Sequence, residues 1–146
     1  MAVAHIRGGE QVPGIRGTAR FCQTREGVYV AVEVRGLPET ESGFFGLHIH
    51  EGSDCGGWDF GNAGGHYNPQ GTVHPRHAGD LPLLLGCGGK ARICVLTDRF
   101  RVRDIVGKTV VIHSGPDDFR SQPAGNSGEK IACGVIYPCA FGEAGV

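Results

Sequence analysis

Six of the seven histidines in this 146-residue chain, His48, His50, His66, His74, His77 and His113, fall into four short segments, while His5 stands alone near the start. Imidazole is the commonest metal side chain, and each segment has a spacing with its own coordination logic. Gly46-Leu47-His48-Ile49-His50 closes an apolar run, and its i, i+2 spacing puts both imidazoles on one face of a strand and Leu47 and Ile49 on the other. That face suits two ligands to one ion, although the same alternation marks any half-buried strand. Downstream, His66, His74, His77 and Asp80 lie within fifteen residues, and three imidazoles with one carboxylate are what a closed tetrahedral zinc site needs. His113 ends the run Val110-Val111-Ile112, and Asp117 follows four residues later. A carboxylate so placed can accept the second ring N–H of a ligating histidine and fix its tautomer.

The elements that must position these groups read as strands. Val28, Val30, Val32 and Val34 alternate with Tyr29, Ala31, Glu33 and Arg35, the clearest period of two in the chain. Seven further β-type runs read as Val3–Arg7, Ile15–Cys22, Phe44–His50, Leu81–Leu85, Ala91–Thr97, Lys108–His113 and Ile131–Tyr137. No window shows a helical period with caps. The pattern predicts an all-β fold, an eight-stranded antiparallel Greek-key barrel or sandwich, with two long loops, Glu51–Asp80 and Ser114–Lys130. Loops of that length are functional or mark a wrong strand assignment. Here metal coordination would supply the ordering force that apolar burial does not. Trp58, the only tryptophan, is expected to pack beneath the first loop.

Composition bounds the function classes. The length suits one domain, 1–146, large enough to bury a core without obligatory staples. A net charge of -1 with no block of one sign argues against a nucleic-acid partner. No apolar run approaches the roughly 20 residues of a membrane helix, so a soluble protein is expected. The opening Met1-Ala2-Val3-Ala4-His5 has no export leader, which predicts a cytoplasmic protein or one whose leader has been removed. No Gly-x-Ser-x-Gly elbow supports a nucleophilic hydrolase.

The fragments GLHIHE, GGHYNP, HAGDLP, VVIHSGPDD and AGNSGEKIACGVI occur in this order, and through them the chain from Gly14 to Ile136 closely resembles the copper,zinc superoxide dismutases. The resemblance implies copper ligands at His48, His50, His66 and His113, and zinc ligands at His66, His74, His77 and Asp80, with His66 shared. It implies that Asp117 links a copper histidine to a zinc histidine, and that Cys55 and Cys133 form the disulfide tying the metal loop to the last strand. Coordination chemistry agrees: four nitrogens suit Cu(II), whereas three nitrogens and a carboxylate suit zinc. The implied cofactors are copper and zinc, the substrate is the superoxide anion, and His66 carries a proton between half-reactions. A homodimer is allowed, but the chain continues through Tyr137-Pro138-Cys139-Ala140-Phe141, so no family interface carries over.

Departures from the family matter too. Only Pro75 and Arg76 separate His74 from His77, where the family has a longer link, which makes His74 the weaker zinc candidate. Lys130 stands where the family has an anion-guiding arginine; it keeps the charge but loses the planar fork. Arg120 is the other cation of that loop, and the loop itself is shorter than in eukaryotic members. Cys22, Cys87, Cys94 and Cys139 have no family role; they allow three complete pairings among which the sequence does not choose, and free thiols are the default reading. The rival reading from another class is a noncatalytic copper/zinc-binding or copper-delivery module of the same fold. Such modules lose copper ligands, whereas this chain keeps all four.

Overall fold

The structure, a computed structural model, describes residues 1–140. Residues 141–146, and with them Phe141 and the end of the expected domain 1–146, lie outside the described residues. Strands β1 (Ala2–Gly8), β2 (Arg16–Gln23) and β3 (Val28–Arg35) form a meander. β4 (Phe44–Phe45) and β5 (Leu47–His50) follow, then β6 (Leu84–Leu85), β7 (Ala91–Thr97), β8 (Thr109–His113) and β9 (Lys130–Pro138). All eight expected runs are present; the run Phe44–His50 breaks at Gly46 into two strands, and Leu81–Leu85 shortens to its last two residues.

The order across the main sheet is β5-β8-β9-β1-β2-β3-β7, every pair antiparallel, while β4 pairs with β6. The pairs β5–β8, β9–β1 and β3–β7 join strands distant in sequence, which is the Greek-key crossover pattern. Twist curls the sheet on itself into a barrel. Alternation then sorts side chains: Ile6, Phe21, Phe45, Leu47, Ile112 and Ile136 point inward and are fully buried, while odd-register neighbours face out.

Contrary to the absence of helix expected from the sequence, a single turn, α1 (Val102–Ile105), joins β7 to β8, and a 3-10 turn spans Gly61–Ala63. Asp104 caps α1 by accepting the Arg101 N–H at 3.0 Å, and Val102 and Ile105 bury its inner side. One turn is too short to print a period in the sequence.

β5 is an edge strand, which leaves unpaired backbone groups. The first long loop covers that edge. Ile49 N–H donates to Gly79 O, its carbonyl accepts from Tyr67 N–H, and Gly79 N–H donates to Tyr67 O, at 2.8, 2.8 and 2.9 Å. Gly79 is required here, because a Cβ at this position would collide with the Ile49 carbonyl. Beyond it, Ala63, Val111 and Cys133 form a small apolar cluster with Cys55 and Phe60 on the barrel's outer face, and the Cys55–Cys133 disulfide fastens the loop there. The other four cysteines are free, as expected. Trp58 does not pack beneath the loop: it is 80% exposed, and Phe60 packs against the apolar cluster instead.

Candidate metal centre

Strand parity delivers the first ligands. His48 and His50 share the outer face of β5, with Leu47 and Ile49 in the core. The loop adds its own by backbone pairing, which sets His66 opposite His50 and Asp80 opposite His48 along the covered edge. On the other side of β5, β8 ends at His113. The register between β8 and β9 shifts there, so that Ile112 faces Ala132 but His113 faces Lys130, with Ile131 as the extra residue. Without that bulge an isoleucine would stand beside His113.

Hydrogen bonds fix which ring nitrogens hold protons. His50 Nδ1–H donates to Gly64 O at 2.7 Å, and His113 Nδ1–H donates to Gly128 O at 3.2 Å. Each Nε2 is therefore a lone pair, and the two face each other at 3.1 Å. Two lone pairs at that distance do not bond each other; they converge on a common cation. Burial keeps both rings neutral, with the His50 pKa pushed down to about 2 and that of His113 to about 3. His48 donates Nε2–H to Asp117 Oδ2 at 2.8 Å, which leaves its Nδ1 buried without a partner; His66 Nε2 is likewise orphaned. One donor atom from each of His48, His50, His66 and His113 lies within 4.8 Å of the others.

A second group, His66, His74, His77 and Asp80, converges in the same way. His66 Nδ1 approaches Asp80 Oδ1 at 2.9 Å and His77 Nδ1 at 3.1 Å; His74 Nδ1 approaches Asp80 Oδ2 at 3.0 Å. His74 Nδ1 and Asp80 Oδ1 nevertheless lack hydrogen-bond geometry. Donors on a tetrahedron with metal bonds of about 2.0–2.1 Å stand about 3.3 Å apart, close to this spacing. His66 thus presents one nitrogen to each group. Four of the five buried polar side-chain atoms without a hydrogen bond, among the described residues, belong to these two groups. Unpaired buried polar atoms are costly, and copper and zinc fit the donor sets that share them.

Asp117 holds the groups together. Its Oδ2 accepts from His48 and its Oδ1 from His74 Nε2 at 2.7 Å, so each of these histidines turns Nδ1 toward its own group. Burial works to raise this carboxyl, but the hydrogen bonds from His48, His74 and the Phe119 N–H outweigh it and hold it well below the usual carboxylate range. Gly125, at φ +73°, makes the bridge possible: a Cβ there would strike Asp117 and stand 2.7 Å from His74 Nε2. His74 is 2% exposed, and its donor atom converges with that of His77 despite the short Pro75-Arg76 link.

Four of the six metal histidines open onto a cavity of about 620 Å³. They are His50, His66, His77 and His113, and Trp58 and Lys130 line it with them. Lys130 is the only lysine or arginine of the lining; Arg120 lies elsewhere, exposed. The turn after β1 supplies a wall that the sequence did not signal, including Glu10, Gln11 and Val12. With Asp59 and Glu129, Glu10 brings the lining to three carboxylates and one lysine.

A Greek-key barrel with a two-group histidine and carboxylate centre, bridged by one imidazole on its outer face, is a binuclear metalloprotein of the copper–zinc type. Residues 15–136 match the family described as copper/zinc superoxide dismutase (SODC), and the chain belongs to that family. It is 39% identical to "Superoxide dismutase [Cu-Zn] 2" of Aquifex aeolicus over 82% of this chain and 78% of that protein. It is 34% identical to the human "Copper chaperone for superoxide dismutase", over 92% of this chain but 52% of the chaperone. Among solved structures, the Cu/Zn superoxide dismutase from Brucella abortus superposes with a TM-score of 0.77 at 27% identity, covering 92% of this chain and 99% of the other.

Proposed function

We propose that this chain disproportionates superoxide, two anions and two protons giving dioxygen and hydrogen peroxide, with copper held by His48, His50, His66 and His113 and zinc by His66, His74, His77 and Asp80. The carrying observation is the set of orphaned, convergent donor atoms that share His66. Bound copper supplies reversible one-electron exchange, and zinc a fixed positive charge.

The chain's own residues do the rest. Gly64 O and Gly128 O hold His50 and His113 in the tautomer that turns Nε2 toward the copper group. Asp117 does the same for His48 and His74 through their Nε2–H groups. His66 Nε2 is the atom at which a proton is held between the two half-reactions, because His66 lines the cavity and this nitrogen has no hydrogen-bond partner in the protein. Lys130, turned beside His113 by the bulge, offers the cationic end that an incoming anion meets.

The copper-delivery reading draws on the similarity to the human chaperone, but this chain spans about half of that protein. Metal analysis and a superoxide-consumption assay on copper- and zinc-reconstituted protein separate the two readings. We expect one copper and one zinc per chain with catalytic turnover, and His66→Ala should abolish coupling between the metals and lower activity by orders of magnitude. Zinc in both sites after copper reconstitution, with no turnover, would favour the binding module.

A further inference from the structure

The outer face of the sheet carries a feature that dismutation does not use. Across the strands, His48 stands opposite Val111, Val111 opposite Cys133, and Cys133 opposite Arg7; Arg7 then faces Arg16, and Arg16 faces Arg35. One transverse row thus runs from the metal centre, under the disulfide, into three consecutive arginines on β1, β2 and β3, all exposed. Like charges directly opposite each other destabilise a sheet, and here two such pairs share Arg16.

Lys90 and Arg92, at the start of β7, extend the cluster, and all five cations line a shallow depression of about 980 Å³. Glu33 is the only carboxylate lining it, and it is bound to Arg92 at 2.8 Å. Overall basicity does not account for this, since the chain's net charge is -1. Around another surface depression, Arg25, Arg101 and Arg103 alternate with Glu26 and Asp98, so cations there are offset.

We propose that the row Arg7-Arg16-Arg35, with Lys90 and Arg92, binds a linear phosphate polymer. Arginine outnumbers lysine four to one in this cluster, and the guanidinium fork matches two phosphate oxygens at once. Arg16 is already oriented, its Nη1 donating to the Pro13 and Ile15 carbonyls at 3.0 Å. Neighbouring strands lie about 4.8 Å apart, so the row from β1 to β7 spans about 15 Å. A phosphoanhydride chain carries an anionic group at every unit and so meets each cation without a fixed register. His5 is the only ring that lines the depression among the described residues, and one imidazole does not make the row of stacking platforms of a single-strand nucleic-acid site. Leu85 is the one large exposed apolar side chain of the lining, short of the broad apolar face by which a cationic surface rests on a membrane. Two strands, β9 and β8, separate Arg7 from His48, so a bound chain lies beside the metal cavity and leaves it open.

The test titrates long-chain inorganic polyphosphate against the metal-loaded protein, with a single-stranded oligonucleotide and anionic phospholipid vesicles as comparators. Binding of polyphosphate should weaken about 50-fold between about 50 and 200 mM salt, as for roughly four neutralised contacts. Arg7→Gln with Arg35→Gln should weaken it at least tenfold while Tm stays equal or rises, since like-charge pairs are relieved. Arg103→Gln should change nothing, and superoxide consumption should continue in the bound state. Four results would overturn the proposal: no polyphosphate binding; tighter binding of the oligonucleotide or the vesicles; equal loss with Arg103→Gln; or competitive inhibition of dismutation, which would place the polymer at Lys130.

Discussion

Metal chemistry at single residues depends on which ring nitrogen is free, and backbone carbonyls and one carboxylate decide that here. Asp117 binds His48 and His74 through Nε2 and so turns both Nδ1 atoms inward. The bridge in turn depends on Gly125 having no side chain. Gly125→Ala is therefore expected to displace Asp117 and lower affinity for both metals by about 10- to 100-fold, the range for loss of an outer-shell partner. Competition with a chelator measures this, and unchanged zinc and copper retention would show that the loop yields without disturbing the bridge.

At the scale of elements, a long loop with little regular structure is ordered by pairing along the β5 edge and by the disulfide to β9, and metal coordination would add a third constraint. Replacing Cys55 and Cys133 together by Ser is expected to cost about 2–4 kcal/mol in unfolding and to loosen zinc, because the unfolded chain regains the entropy of an open loop. Chemical denaturation of the metal-loaded double variant checks the first effect and zinc release the second. Free thiols at both positions in fully active protein would contradict the brace. The β8–β9 bulge is the second element-level device, since it exchanges Ile131 for Lys130 beside His113.

Charge and proton balance act over the whole molecule. Glu10, Asp59 and Glu129 share the cavity lining with its single lysine, so the net field of the lining opposes anions that Lys130 attracts. Lys130→Glu should lower kcat/KM by about 10- to 1000-fold with unchanged metal content, and Lys130→Arg should preserve or raise it. Glu10→Gln with Asp59→Asn should raise kcat/KM. If Lys130→Glu keeps the parental rate and salt dependence, the lysine is only a solvated surface group. Acid acts on the fold as well. Between pH 6.5 and about 3 the unfolded chain binds protons at His50 and His113 that the folded chain refuses, so stability falls as pH drops. Calorimetry of the metal-free protein should show a lower Tm at pH 5 than at pH 7, and a flat profile would mean that these rings are solvated.

The eight β-type runs and the metal residues were legible in the sequence because both are local. Alternation of period two records burial directly, as in Val28–Arg35, and ligand spacings such as His48-x-His50 follow from strand parity. Five ordered fragments carried the family resemblance, and with it the Cys55–Cys133 pairing that no spacing could choose. Tertiary structure alone decided what depends on register and crossover. It set His66 and Asp80 along the edge of β5, turned Lys130 to His113 by one extra residue, and left Trp58 exposed while Phe60 packs against the cluster. It also brought Glu10 from the turn after β1 to the cavity wall, and lined up Arg7, Arg16 and Arg35. Cross-strand neighbours are set by hydrogen-bond register, which for β5–β8, β8–β9 and the loop along β5 joins segments with long connections, and in the meander depends on turn geometry as well as on alternation.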